Sequence, residues 1–202
     1  MSEQQVHSES IPVVVAGSDE LRDLLELHDV DTSSWGQGPT KTVDGLYKEI
    51  ADGESIIVEE DGELIRGTTV VGVDVIARLV DGSSYRLRED KQVFKNDGSE
   101  RHRHLDTSLG EKMKPDETTE QAVRRAILEE LGIKDIRAIT EGEVRQVDQV
   151  SQAFDGLRSR HEIRRSEVII GEASFAPQGY VERQPDKDIY FVWDKLPITI
   201  GV

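Results

Sequence analysis

The chain has 202 residues, no cysteine and a formal net charge of −16. That length suits one domain with an accessory segment, and the absence of cysteine excludes disulfides, thiolate catalysis and Cys-based zinc sites. Such acidity argues against general nucleic-acid or anionic-membrane binding, and it requires that any anionic substrate be met by local positive charge or by metal ions. No apolar run approaches the roughly 20 residues that cross a bilayer. The opening MSEQQVHSES has neither the basic start nor the apolar stretch of a secretory signal, so a cytoplasmic protein is expected.

In chain order, residues 1–17 read as a flexible polar tail, 18–66 as an accessory segment and 67–202 as the main domain. Ser18 is expected to cap a helix reaching Leu27, with leucines at helical spacing. Trp35 sits in a loop beside Gly36 and Gly38, as a ligand platform or a packing anchor. A second helix is expected from Thr42 to Ile50, turning Leu46, Tyr47 and Ile50 inward. Strands at 55–59 and 63–66 flank Asp61-Gly62, a hairpin signal. Residues 68–80 alternate Val71, Val73, Val75, Ala77 and Leu79 on one face of a strand. Asp81-Gly82 turns it into 84–88, and 92–95 forms a further short strand. After a central helix, strands are expected at 136–140, 143–149, 167–173 and 189–193, with a long polar loop around Asp155-Gly156. Strands on both sides of one strong helix predict an α/β fold, a mixed sheet with helices on its faces.

The central segment, 110–133, reads GEKMKPDETTEQAVRRAILEELGI. Thr118 and Gln121 suit a capping box. Ala122, Val123, Ala126, Ile127 and Leu131 form one apolar face, and Gly132 ends the helix. Glu129 and Glu130 stand in the last turn, where each acid costs about 0.3–1 kcal/mol against the helix dipole. They are either a solvated acidic edge or, with Glu117 on the preceding loop, oxygen ligands for a Mg²⁺ or Mn²⁺ beside a substrate phosphate.

This segment resembles the Nudix box: Gly, five residues, Glu, seven residues, Arg-Glu, an aliphatic residue, any residue, Glu-Glu, any residue, Gly, aliphatic. Glu117, Arg125, Ile127, Glu129, Glu130, Gly132 and Ile133 fall on matching positions. Glu111 replaces the box glycine, with Gly110 just before it, and Ala126 replaces the Glu after the arginine. The resemblance implies a Nudix-like α/β/α sandwich with a mixed sheet, carrying an N-terminal helical and hairpin extension. It implies a Mg²⁺- or Mn²⁺-dependent hydrolase that cleaves the pyrophosphate of a nucleoside diphosphate linked to another moiety. In it, Glu129, Glu130 and the Gly110 carbonyl hold the metal, Arg125 holds the carboxylates and Glu117 orients them. It also implies a small nucleotide-type substrate and makes a homodimer an arrangement to look for. Ala126 offers no oxygen to a metal and no base to water. The alternative is therefore a catalytically degenerate Nudix-fold nucleotide-binding or regulatory protein. A third reading is an interaction module meeting a basic partner through the acidic surface. Glu111, Glu167 and Glu172 are the candidate replacements for the missing carboxylate.

Four arginines are candidates for substrate phosphates: Arg101 and Arg103 ahead of the box, and Arg158 and Arg160 in a basic island with His161, Arg164 and Arg165. The other reading of the island is charge guarding a strand edge, which is common. Phe154 is either a base-stacking ring or a loop anchor. His102 and His104 have the spacing of a transition-metal pair with no third partner in view. Lys112 and Lys114 either screen phosphate charge or balance neighbouring acids.

Overall fold

A computed structural model describes residues 11–197, so most of the expected tail and the last five residues lie outside the described residues. The chain has the expected α/β class, with ten strands and three α-helices among the described residues. It divides into two compact units. One runs to Thr69 and takes in Arg145–Glu162; the other comprises Val70–Val144 and the chain from Ile163. The break falls at Thr69/Val70 rather than 66/67, and 145–162 belongs with the first unit rather than the main domain.

The first unit holds β1 (Ile11–Val13), α1 (Ser18–Leu27), α2 (Val43–Ala51), β2 (Ile56–Glu60) and the start of β3 (Glu63–Arg78). Residues 11–13, expected in the tail, pair antiparallel with β2. Ser18 is not the cap of α1: it already lies inside the helix, and Gly17 occupies the cap position with no side-chain bond. The Glu20 carboxylate instead accepts from the Ala16 N–H at 2.6 Å. Thr42 caps α2, its Oγ1 accepting from the Gly45 N–H at 3.0 Å. Asp61 and Gly62 both take positive φ, 54° and 81°, as a two-residue hairpin loop matched to strand twist demands. Gly67 lies inside β3, where a break was expected. A Cβ there would come within 2.9 Å of the Ile56 Cγ1, so the strand needs glycine at this crossing.

Leu21, Leu25, Leu46, Ile57, Phe154 and Leu157 form the first unit's core. Trp35 packs against Phe154 with the ring planes tilted by 55° and centroids 5.2 Å apart, and its Nε1 donates to the Asp155 carbonyl at 2.8 Å. Trp35 and Phe154 are therefore packing anchors, leaving no ring face for a ligand. Glu49 is buried beside them, and it accepts from Lys41 at 2.5 Å, from the Ser55 hydroxyl at 2.8 Å and from Arg66 at 2.5 Å. A buried carboxylate is tolerated when its lone pairs are met in this way.

The second unit contains the rest of β3, β4 (Ser84–Phe94), β5 (Glu100–Arg101), β6 (Leu109–Lys112), α3 (Thr119–Leu131), β9 (Tyr180–Arg183) and β10 (Lys187–Lys195). Two longer strands, β7 (Ile136–Val150) and β8 (Arg158–Ile170), give residues to both units. In the second unit β6 and β4 pair with β3, β10 with β4, and β9 with β10, all antiparallel. β4 runs through the expected gap at 89–91. It pairs Glu89 with Phe191 and Lys91 with Tyr190, leaving Asp90 unopposed as a bulge. The bulge shifts the alternation by one, so the buried side chains run Leu87, Glu89, Gln92.

α3 packs on β6 and β9. Its capping box is complete: Thr118 Oγ1 accepts from the Gln121 N–H at 3.2 Å, and Gln121 Oε1 accepts from the Thr118 N–H at 2.8 Å. Gly132 ends it in the left-handed region at φ 70°. Ala122, Val123, Ala126 and Ile127 are fully buried, against Val71, Val73, Leu109 and Phe191. No helix among the described residues is long and apolar enough to cross a membrane.

Candidate functional site

The segment 110–133 folds as a strand, a loop and a helix that bring separated carboxylates to one guanidinium. Arg125 donates through Nε and Nη2 to Glu117 at 2.9 and 3.0 Å. Its Nη1 donates to Glu111 at 3.0 Å and Glu129 at 3.1 Å, and Nη2 donates to the Lys112 carbonyl at 2.8 Å. A guanidinium has five N–H donors, and each one is taken. Glu117 also accepts from the Lys114 N–H at 2.9 Å, which ties the loop to the helix. Arg125, chiefly by its hydrogen bonds, holds the Glu117 carboxyl below its ordinary range against the opposing effect of burial. In return the guanidinium is held above its usual range.

Beside this cluster lies a cavity of about 340 Å³, lined by residues of the second unit. Glu89, Glu111, Glu129, Glu130 and Glu182 face it, against the cations Arg101, Arg103 and Lys187. Gly110, opposite Gly72 in the β3–β6 register, brings its backbone to the same wall. Glu130 is half-buried there. Burial first, then the charges of Glu182, Glu111 and Glu89, push its carboxyl up to about 8, with Arg103 opposing. Glu129 is more open and leans back to Arg125.

Arg101 and Arg103 both line the cavity. Arg103 donates to the buried Glu89 through Nε at 2.8 Å and also through Nη2. Arg101 donates to the buried Gln92 Oε1 from Nε at 3.1 Å and Nη2 at 2.5 Å, and stands 5.4 Å from the centre of the Phe94 ring. Both forks are thus held in place before any ligand arrives. Arg158 and Arg160 belong to the first unit and lie on a strand, β8, where a loop was expected. Arg158 pairs with Glu63 at 2.6 Å and Asp148 at 3.2 Å, and Arg160 with Glu60 at 2.8 Å and Asp148 at 2.9 Å. Strand pairing has neutralised the basic island with acids remote in sequence, and neither arginine lines the cavity.

The candidate replacement carboxylates Glu167 and Glu172 lie elsewhere. Glu167 pairs with Arg78 at 3.4 Å, and Glu172, on a short 3₁₀ turn, accepts from the Val80 N–H at 3.4 Å. Two acids not singled out from the sequence, Glu89 and Glu182, stand in the cavity instead. Glu182 accepts from Gln184 Nε2 at 2.8 Å. The only signal for it was a four-residue strand after Gly179. Ala126 lies one turn before Glu130 and is fully buried in the core. His102 places Nδ1 2.9 Å from the Asp90 carbonyl, and among the described residues neither His102 nor His104 belongs to a group of three metal-ligating side chains.

Among the described residues no three His, Asp or Glu side chains are already arranged to hold a metal, and Glu111 and Glu129 are bonded to Arg125. The chemistry of the donors nonetheless fits a hard divalent cation. They are all oxygens, and the half-buried Glu130 stands among like charges that a cation would relieve.

No family model and no curated protein matches the chain. Among solved structures it has a likeness to the Ap4A hydrolase of C. elegans, at 14% identity and a TM-score of 0.32 over 62% of this chain and 78% of that one. It also has a likeness to DR0079 from Deinococcus radiodurans, at 20% identity and a TM-score of 0.33 over 62% and 65%. The E. coli ORF135 protein is similar at 21% identity and a TM-score of 0.28 over 62% and 73%. Likenesses this low leave family and reaction to be argued from the chain's own residues.

Proposed function

We propose that this chain is a Nudix-type hydrolase, dependent on Mg²⁺ or Mn²⁺, that cleaves the pyrophosphate of a nucleoside diphosphate linked to another moiety. The observation that carries the reading is the Arg125 cluster beside the acidic cavity. Carboxylates that cost helix stability and repel one another are gathered where an anionic substrate would need a cation. Glu129, Glu130 and the Gly110 carbonyl would hold the ion. When bound, it would supply charge stabilisation at phosphorus and a more acidic water. Arg125 fixes the direction of Glu117 and ties the loop to the helix, and Glu129 would turn from it to reach the ion. Arg101 and Arg103, each held by its Nε–Nη2 edge, would offer their remaining Nη1 donors to phosphate oxygens. Glu182, fixed by Gln184, is a further carboxylate at the same wall.

A second reading, a nucleotide-binding or regulatory protein with degenerate chemistry, is favoured by one observation. Ala126 has become a core residue, so the position has been given to packing. Phosphate release from nucleotide sugars, dinucleoside polyphosphates and nucleoside triphosphates separates the two. The hydrolase reading expects release that needs Mg²⁺ or Mn²⁺, stops on chelation and is lost in Glu130→Gln. Binding of the same compounds without release from any of them, by a fully folded protein, supports the second.

A further inference from the structure

Gln92 lines the cavity and is 1% exposed. Its Oε1 accepts from both Nε and Nη2 of Arg101. A guanidinium only donates, so the amide has one possible orientation: the oxygen faces Arg101 and Nε2 faces away. Among the described residues no protein acceptor meets that Nε2. Nor is it among the sealed atoms that lack a partner, so it opens on the cavity. A buried donor without an acceptor is costly, and a ligand that brings an acceptor removes the cost.

Strand register sets what surrounds this donor. Gln92 lies between Arg101 on β5 and Ile189 on β10, and Ile189 in turn lies opposite Glu182 on β9. Lys187 follows two residues before Ile189 on the same strand. Arg101 keeps Nη1 for a ligand, and the Lys187 ammonium has only a 3.6 Å approach to Asp186. The acceptors stand across Ile189: Glu182, and Gln184 Oε1, whose Nε2 is given to Glu182. The floor is thus divided into a donor side and an acceptor side. Two strand spacings, about 9.5 Å, separate Gln92 from Glu182, room for one sugar ring over Ile189. The lining side chains are aliphatic, polar or charged, which suits hydrogen bonds to a sugar better than the stacking that holds a base.

We infer that the moiety linked to the nucleoside diphosphate is an acidic sugar. Its anionic group accepts from Gln92 Nε2, Arg101 Nη1 and the Lys187 ammonium, and its hydroxyls donate to Glu182 and Gln184. The inference rests on the hydrolase reading for the place of the pyrophosphate, at the Glu89 and Glu130 end with Arg103. Glu89 pairs with Phe191 and Gln92 with Ile189, so the two ends are about 7 Å apart along the sheet, and one sugar ring bridges them. Gln92 is then the residue that sets specificity. A carboxylate and a phosphate would be met by the same three donors.

Two pairs of compounds test this. UDP-glucuronate and UDP-glucose differ by a carboxylate on the sugar, and NADPH and NADH by a phosphate on a ribose. Binding and turnover of each are measured with Mg²⁺ present. The acidic member of at least one pair is expected to bind at least about tenfold tighter than its neutral partner, and the pair that shows it tells which anion is read. Gln92→Glu keeps the shape and puts an acceptor where the donor was. It should abolish the preference and change binding of the neutral member by less than about threefold. Lys187→Gln removes one cation and should reduce the preference by at least about threefold; it decides alone should Gln92→Glu fail to fold. Selective binding without cleavage of any compound would overturn the hydrolase and leave the acidic-sugar site standing. Equal affinity within both pairs, no binding of any compound, or a preference that survives the substitutions would overturn this inference, whatever is cleaved.

Discussion

Replacing Arg125 by Met keeps most of the side-chain volume and removes every donor. The loss can be worked from its partners. The arginine is 14% exposed and Glu117 is 11% exposed, so this pair is close to buried. Removing one partner of a buried pair costs about 3–5 kcal/mol, because the other charge is left without compensation. The contact with Glu129, whose side chain is 55% exposed, adds only about 0.3–0.5 kcal/mol. The expected loss is therefore about 3–5 kcal/mol at neutral pH, or roughly 10 °C in Tm. It should also depend on pH in a defined direction. Glu117 has its folded pKa depressed below 4.5, so its contribution is present above that value and disappears as pH falls through the folded pKa. Urea titrations of wild type and Arg125→Met should show a gap that is full at neutral pH and narrows in acid. A gap under about 1 kcal/mol, or one that does not narrow below pH 4.5, would refute the clustering of carboxylates on this residue.

Glu130 carries the opposite sign. Its folded pKa is raised from 4.5 to about 8, so the stability it provides in its protonated form is complete below 4.5 and is lost as pH rises to about 8. Glu130→Gln should flatten the decline of Tm across that window, and an unchanged slope would count against the crowding of acids. Phe154→Ala should cost about 3–5 kcal/mol in denaturant titration and leave substrate affinity unchanged, since the ring is core; weakened nucleotide binding with normal stability would reverse that assignment. Ala126→Glu should lower stability by about 2–7 kcal/mol, because the site is fully buried. A variant as stable as wild type would show that the new carboxylate reaches the cavity.

The elements legible in the sequence were those whose signals are local. The Thr118–Gln121 box and Gly132 delimit α3 in the structure as their chemistry requires, and Asp61-Gly62 makes its hairpin. What was missed depends on pairing between distant segments. β4 looked broken at 89–91 because its alternation fails there, and only the β10 register reveals the bulge that turns both Glu89 and Gln92 inward. β9 is too short to read alone, and Glu182 was lost with it. For Arg158 and Arg160 the sequence leaves phosphate binding and edge protection open, because Glu60, Glu63 and Asp148 reach them only through strand pairing. Arg125, Glu117 and Glu129 were legible because the loop and helix that join them are continuous in sequence.

The central claim is that the acids ending α3 grip a cation. Crystals soaked in Mn²⁺ and measured at its absorption edge test it most directly. The expected result is an anomalous peak about 2.0–2.2 Å from carboxylate oxygens of Glu129 and Glu130, with Glu129 swung away from Arg125. Saturating Mn²⁺ that leaves both side chains as they are, with no peak in the cavity, would contradict it.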